Sequence, residues 1–267
     1  MTSATYEILA IKYAERTDRK RVESFIAADD HDAPHQIDFF LWVIRNEHRT
    51  IVVDTGFDEA EGQRRQRRLL RAPTQALAMV GVVAEAVENV IITHLHYDHA
   101  GTLNSFGNAR FHLQAAEIAY ATGPCMCHAH LRGPFTVEHV CEVVRKVYSG
   151  RVMFHDGDAE IAPGVTVHKL GGHSRGLQCV RVNTGSGPVV LASDGTHFYE
   201  NFEMGKVFPI VVDVEDVLRG YARMEMLAAS RRHIVPGHDP LVTQRYPALN
   251  SQTQGIVHRV DQARTDT

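Results

Sequence analysis

The stretch Thr93-His94-Leu95-His96-Tyr97-Asp98-His99-Ala100-Gly101 packs three histidines and one aspartate into six consecutive positions. The run before it, Asn89-Val90-Ile91-Ile92-Thr93, is apolar and β-branched, the composition of a short buried strand. A strand ending in His-x-His-x-Asp-His delivers its ligands to one mouth at the sheet edge, where α/β proteins tend to place their sites. Imidazole nitrogen and carboxylate oxygen are zinc ligands, and four of them so close together can begin a two-metal cluster. A polar loop that happens to be histidine-rich is the plain alternative. The spacing argues against it, because that spacing has known metal-site mechanics.

Four residues cannot close two metal centres, so more ligands are expected from elsewhere in the chain. Three later segments repeat one design, an apolar strand followed by a glycine-flanked ligand. Gly171-Gly172-His173-Ser174 follows Val165 to Leu170, and Ser193-Asp194-Gly195 follows Val189 to Ala192. Pro236-Gly237-His238-Asp239 follows His233 to Val235. Glycine beside a ligand lets the backbone turn tightly there. Upstream, Asp54-Thr55-Gly56 ends another strand. Asp54 reads either as a turn-forming residue or as an acceptor for the free N–H of a ligating histidine.

The 267 residues are 44% hydrophobic and carry no Pro/Gly/Ser-rich linker, so residues 1–267 are expected to form a single domain. Basic and acidic residues number 28 and 32, a formal charge of -4 that argues against a nucleic-acid partner. The run Arg64-Arg65-Gln66-Arg67-Arg68 reads as the solvated face of a helix. No secretory signal is evident at the N-terminus, and no run of 18 or more apolar residues occurs, so no membrane partner is expected. Four cysteines in a chain this long make no disulfide framework, and a reducing cytoplasm is the expected setting. The 17 histidines are the one compositional oddity, and they point to metal chemistry.

Pattern and turn signals predict strands over 5–13, 37–44 and 50–54, the last two as a hairpin. Further strands are expected over 109–114, 151–154, 165–170, 177–183 and 188–192, and helices over 58–71, 74–87, 115–122, 136–148 and 214–229. Residues 14–35 read as an exposed polar loop, and Trp42 as a core or sheet-face residue. Cys125-Met126-Cys127-His128-Ala129-His130 reads as a loop or lid near the substrate. As a further zinc site, its adjacent alternation makes poor tetrahedral geometry. Two strand-rich blocks with intervening helices predict an α/β protein with a sheet-on-sheet core and helices on both outer faces.

His94-x-His96-x-Asp98-His99, followed in order by His173, Asp194 and His238, resembles the metallo-β-lactamase fold superfamily, and Asp54-Thr55-Gly56 matches its first motif. The resemblance runs from about residue 36 to 240 and implies a four-layer αβ/βα sandwich with two zinc ions in the groove between the sheets. It implies that His94, His96 and His173 hold one zinc, that Asp98, His99 and His238 hold the other, and that Asp194 bridges them. Within the superfamily, His94 to Gly101 and Gly172-His173-Ser174-x-Gly176 look most like the N-acyl-homoserine lactonase group. Glu200-Asn201-Phe202 stands at the same offset after Asp194 as in that group. One position departs. The lactonases often carry a tyrosine three residues after the bridging aspartate, where this chain has His197, its nearest tyrosine being Tyr199.

The resemblance implies a zinc-dependent hydrolase that opens a lactone by attack of a metal-bound hydroxide on the ring carbonyl. Asp98 is then the proton carrier, and His197 takes the tyrosine's place as donor to the substrate carbonyl. Tyr199 and Phe202 are expected to contact substrate, and Met126, Leu131, Phe135 and Phe208 are further candidates for an apolar pocket wall. Thioesters and other esters suit the same chemistry, and a homodimer is common in the resembling group. A di-iron redox protein of this fold usually carries glutamate where this chain has His96. A nuclease of the fold is disfavoured by the charge and by the lack of an inserted nucleic-acid domain.

Overall fold

A computed structural model describes residues 4–27 and 29–265. Its strands are β1 (Glu7–Arg16), β2 (Ile37–Arg45), β3 (Thr50–Val53), β4 (Arg68–Leu69), β5 (Asn89–Ile91), β6 (Arg110–Gln114) and β7 (Val152–His155). They continue with β8 (Ala159–Ala162), β9 (Val165–Lys169), β10 (Gln178–Thr184), β11 (Gly187–Ser193), β12 (Ile234–Pro236) and β13 (Val257–Arg259). The helices are α1 (Glu59–Arg64), α2 (Pro73–Ala78), α3 (Ala115–Ala121), α4 (Ala129–Arg132), α5 (Val137–Tyr148), α6 (Tyr199–Met204), α7 (Val214–Leu227) and α8 (Val242–Arg245). One sheet runs β13-β1-β2-β3-β5-β6-β7 with β4 added to β1, and the other runs β12-β11-β10-β9-β8.

Strand alternation divides the first sheet between two cores. Leu9, Ile11, Leu41, Val43, Val52 and Val90 face one way, into the layer that holds Leu77, Val140 and Val143 from α2 and α5. Ile8, Ala10, Phe40, Trp42, Ile44, Ile51 and Val53 face the other way. They meet Val165, Val167, Val180 and Val182 of the second sheet, and that layer continues to Tyr221 and Met224 of α7. This is the α/β sandwich expected from the sequence.

The site is set by strand direction. β3 pairs parallel to β5, and β11 pairs parallel to β12, so within each pair the C-terminal ends share one edge. Asp54, residues 92–101, Asp194 and His238 all emerge at those ends.

Several expected boundaries move. The helices predicted over 58–71 and 74–87 are two short ones. Asp58 caps α1 through the Glu61 N–H, but Gln66 adopts a left-handed φ of 56° and stops it. Arg68 and Leu69 then pair with Glu15 and Ala14, because β1 runs on to Arg16 into what reads as loop. Pro73 starts α2, and Gly81 at φ 75° turns the chain soon after its end. Among the described residues no helix is long and apolar enough to cross a membrane.

Candidate metal centre

The β5 loop carries His94, His96, Asp98 and His99 into a buried corner where none is more than 8% exposed. His173, Asp194 and His238 arrive there from the other sheet. Single ligand atoms of His94, His96, His173 and Asp194 lie within 4.8 Å of one another, as do those of Asp98, His99 and His238. Asp194 stands between the two groups. Its Oδ2 is 3.1 Å from His173 Nε2 and 3.7 Å from His94 Nε2, while its Oδ1 is 3.0 Å from His238 Nε2 and 3.2 Å from His99 Nε2.

Each imidazole is turned by a partner behind it. His173 Nδ1 donates to the Ile210 carbonyl at 2.7 Å, and His238 Nδ1 to the Asp38 carbonyl at 2.8 Å. His99 Nδ1 lies 2.7 Å from Asp54 Oδ2, which also accepts from the Thr93 hydroxyl at 2.8 Å. With its proton given to Asp54, the Thr93 hydroxyl is left to accept from His94 Nδ1 at 3.2 Å. These bonds engage Nδ1 of His94, His99, His173 and His238 and leave Nε2 of each aimed inward. His96 points in with Nδ1 instead, 2.9 Å from His173 Nε2.

The residues fit metal ions on their own chemistry. Nε2 of His94 and Nε2 of His99 are buried without a hydrogen-bond partner and face one another's neighbours in the cluster, where a bound metal ion would satisfy them. Burial, reinforced by neighbouring imidazoles, holds His94 and His96 well below the ordinary histidine range, so both offer lone pairs at neutral pH. Burial also pulls on His99, but Asp194, Asp98 and Asp54 outweigh it and raise that ring well above its ordinary value. Asp194 is ionised: burial opposes this, and His197, His238, His99 and His173 together carry its pKa far below the usual carboxylate range.

Backbone strain is concentrated at the same place. Asp54 and Ser193, both at strand ends, have left-handed φ values of 61° and 48° without being glycine. The Asp54 turn is held by its N–H to the Ile91 carbonyl at 2.8 Å and by Thr55 N–H to the His99 carbonyl at 2.7 Å. Gly237 is required by close approach. A Cβ there would lie 2.7 Å from the Ser193 carbonyl and 3.1 Å from Asp194 Oδ1.

His197 sits differently from its expected role. Its Nε2 is 3.0 Å from Asp194 Oδ2, and its ring stacks on Phe208 with centroids 3.5 Å apart at 7°. Burial first, with the His173 and His238 rings adding to it, outweighs Asp194 and takes its pKa down to about 3, so the ring is neutral. The nitrogen assigned to the substrate carbonyl is thus turned onto the aspartate. Tyr199 and Phe202, expected to contact substrate, are placed away from the cavity. They begin α6 with their side chains in the core beside the second sheet, and Arg245 and Arg264 cover the Tyr199 ring at 4.5 and 4.3 Å. The helical turn of α6 carries both side chains to its inner face.

A cavity of about 410 Å³ opens over the cluster, with His96, Asp98, His173, Asp194, His197 and His238 in its floor and wall. Phe208 lines it, and Phe135 touches His96 edge-on at 4.7 Å, whereas Met126 and Leu131 are not among its walls. Two supporting residues were not legible in the sequence. Glu117, fully buried in α3, accepts from Leu95 N–H at 2.9 Å and from Ser174 Oγ and Gly176 N–H at 2.8 Å, tying the His96 and His173 loops together. Tyr13 donates its hydroxyl to the Asp98 carbonyl at 3.1 Å. Both look like ordinary amphipathic-pattern residues, and only the fold brings them to the loops.

The metallo-beta-lactamase superfamily model matches residues 40–247. An N-acyl homoserine lactonase of Bacillus cereus is 29% identical over 216 residues, covering 75% of this chain and 80% of that protein. A solved structure of a quorum-quenching N-acyl homoserine lactone lactonase superposes with a TM-score of 0.74 at 24% identity, covering 89% of this chain and 94% of the other. A probable metal-dependent hydrolase from Staphylococcus aureus also reaches 0.74, at 14% identity, over 100% of this chain and 97% of its own. The matched span contains Asp54, the His94–His99 loop, His173, Asp194 and His238, and the chain belongs to the metallo-beta-lactamase superfamily.

Proposed function

We propose that this protein is a metal-dependent hydrolase that opens a lactone, an N-acyl-homoserine lactone or a related cyclic ester, on a pair of zinc ions. The observation that carries the reading is the Asp194 carboxylate, whose two oxygens face two separate groups of inward-pointing imidazoles. His94, His96 and His173 would hold one ion and Asp98, His99 and His238 the other, with Asp194 shared between them. When bound, such ions acidify water and polarise a carbonyl oxygen. The relatives named as N-acyl homoserine lactonases support the lactone as substrate.

The chain's own groups divide the remaining work. Asp98, at the cavity floor, takes the proton of the attacking water as its oxygen bonds to the carbonyl carbon. It returns that proton to the ring oxygen as the carbon–oxygen bond breaks, leaving a hydroxy acid. Neutral His197 donates from Nε2 to Asp194 Oδ2 and so acts as a positioning residue for the shared carboxylate. The buried floor keeps bulk water from competing for these groups.

The test is a hydrolysis panel on zinc-loaded protein, with metal content measured in parallel. It should contain short and long acyl-homoserine lactones, aryl lactones, thioesters and a β-lactam. Ring opening of lactones with two zinc ions per chain is expected, and Asp194→Ala should lose both metal and turnover. Activity confined to thioesters would overturn the lactone assignment, and full activity and metal in Asp194→Ala would overturn the paired site.

A further inference from the structure

The cavity wall holds a charge arrangement that an acyl chain does not need. Arg16, Arg19, Arg65 and Arg67 line it, and Glu23 is the one acidic lining residue outside the metal cluster. Two of the four are fully accounted for. Arg65 is bonded to Glu61, to the Gly133 and Phe135 carbonyls and to Thr136, and Arg16 is held by Asp18 at 2.9 Å and Glu23 at 2.7 Å.

Arg67 and Arg19 are not. Arg67 donates Nε–H to the Tyr97 hydroxyl at 3.1 Å and one terminal N–H to the Arg65 carbonyl at 2.6 Å. No carboxylate among the described residues lies within ion-pair distance of it, so three of its five N–H donors are not bonded within the protein, and the side chain is half-buried at the cavity wall. Arg19 is 5% exposed and rests on the Glu23 carbonyl at 2.7 Å. It also reaches the His35 carbonyl at 3.5 Å, and the Glu23 carboxylate, whose short contact is with Arg16 at 2.7 Å, forms only a long ion pair with it at 3.8 Å. Arginines just outside the cavity are treated otherwise: Arg21 meets Asp29 and Glu200, Arg64 meets Glu61, and Arg68 meets Glu15. The cavity wall thus holds one guanidinium group with no carboxylate partner, Arg67, and one with only a long ion pair, Arg19. Arg19 is buried with its nearest carboxylate shared with Arg16, and half-buried Arg67 has N–H donors to spare, so an anionic ligand in the cavity would gain charge-assisted hydrogen bonds from both.

We propose that the substrate carries an anionic oxyacid group, a carboxylate or a phosphate, remote from the ester that is cleaved, and that Arg67 and Arg19 receive it. This rests on the hydrolase reading of the same cavity. The planar guanidinium fork matches two oxygens of such a group, which neutral acyl chains lack. Phe208, between Arg19 at 5.8 Å and the stacked His197, spaces the anion from the metal cluster.

Three lactones with the same scissile ring test it: N-succinyl-homoserine lactone, its methyl ester, and the phosphonate that replaces the terminal carboxylate. On the zinc-loaded protein, one anionic probe should exceed the methyl ester at least tenfold in kcat/KM, chiefly through KM, with the advantage shrinking as salt rises. Whichever anion leads identifies the group. Arg67→Ala should bring the ratio of anionic to neutral probe towards one, and Arg67→Lys should retain part of it. A ratio near one in the unmodified protein overturns the proposal. Should no ring open, the lactonase reading fails, and the anion site is judged by calorimetry with the matching lactams. Tenfold tighter binding of an anionic lactam than of its methyl ester upholds the site, and equal binding overturns it.

Discussion

Asp194 is where five imidazoles converge, those of His94, His99, His173, His197 and His238. Four of them sort between its two oxygens, His94 and His173 at Oδ2 and His99 and His238 at Oδ1. His197 is the fifth, and its position three residues along the chain lets it reach back to Oδ2. Removing such a partner of a ligating carboxylate commonly costs 10- to 100-fold in metal affinity or activity. His197→Ala should therefore lower kcat about 10- to 100-fold, with a measurable loss of zinc affinity. His197→Gln, whose amide can still donate to Asp194, should recover a substantial part of both. Steady-state kinetics with metal titration checks this. Equal loss in the two variants would mean that the ring's stacking on Phe208, and not its hydrogen bond, is what counts.

At the scale of elements, the turns between strand and ligand carry the most constraint. β11 and β12 lie so close at Gly237 that an added methyl would strike the Ser193 carbonyl. Gly237→Ala should cost about 1–3 kcal/mol in stability by overpacking, and it should weaken zinc binding, because Asp194 and His238 sit on either side of the contact. Urea unfolding and metal titration read the two effects. The short α1 turn makes a second case. Burial alone would raise the Glu61 carboxyl, but Arg64, Arg65 and Thr136 hydrogen-bond it and bring its pKa down to about 2 from an ordinary 4.5. The carboxylate therefore contributes stability that is fully present above about pH 4.5 and is lost as the pH falls towards about 2. Glu61→Gln should be less stable than the parent at pH 7 by about 1–3 kcal/mol. That gap should close through this acid window, as urea unfolding at a series of pH values will show. The same turn redirects Arg65 and Arg67. Read as a continuous helix, residues 64–68 form a solvated basic face. The left-handed Gln66 and the pairing of β4 with β1 turn two of those arginines to the cavity wall instead.

At the scale of the whole molecule, the cluster is a cross-link between the sheets. Its ligands come from loops after strands of both, and buried nitrogens of His94 and His99 lack protein partners. Each such group costs about 1–3 kcal/mol when unsatisfied. Stripping the metal with a chelator should lower Tm by on the order of 10 °C for a chain this size, with recovery on adding zinc. An unchanged Tm would mean that the cluster contributes nothing to holding the sheets together. Much of this architecture is readable without coordinates. Alternating apolar residues in 37–44 and the β-branched run before His94 specify strands, and glycine beside each ligand specifies tight turns, because these are local steric and periodic properties. The ligand residues are likewise visible as types in repeated local settings. What faces what is another matter. Glu117 reaches Leu95, Ser174 and Gly176 only because α3 packs across two loops, and Tyr199 turns into the core because α6 rotates it there. Arg67 enters the cavity because a two-residue strand joins β1. The sequence by itself thus determined the strand-and-ligand grammar of this protein. Tertiary structure alone decided which side chains surround the reacting groups, since long-range packing, which no local pattern encodes, sets their directions.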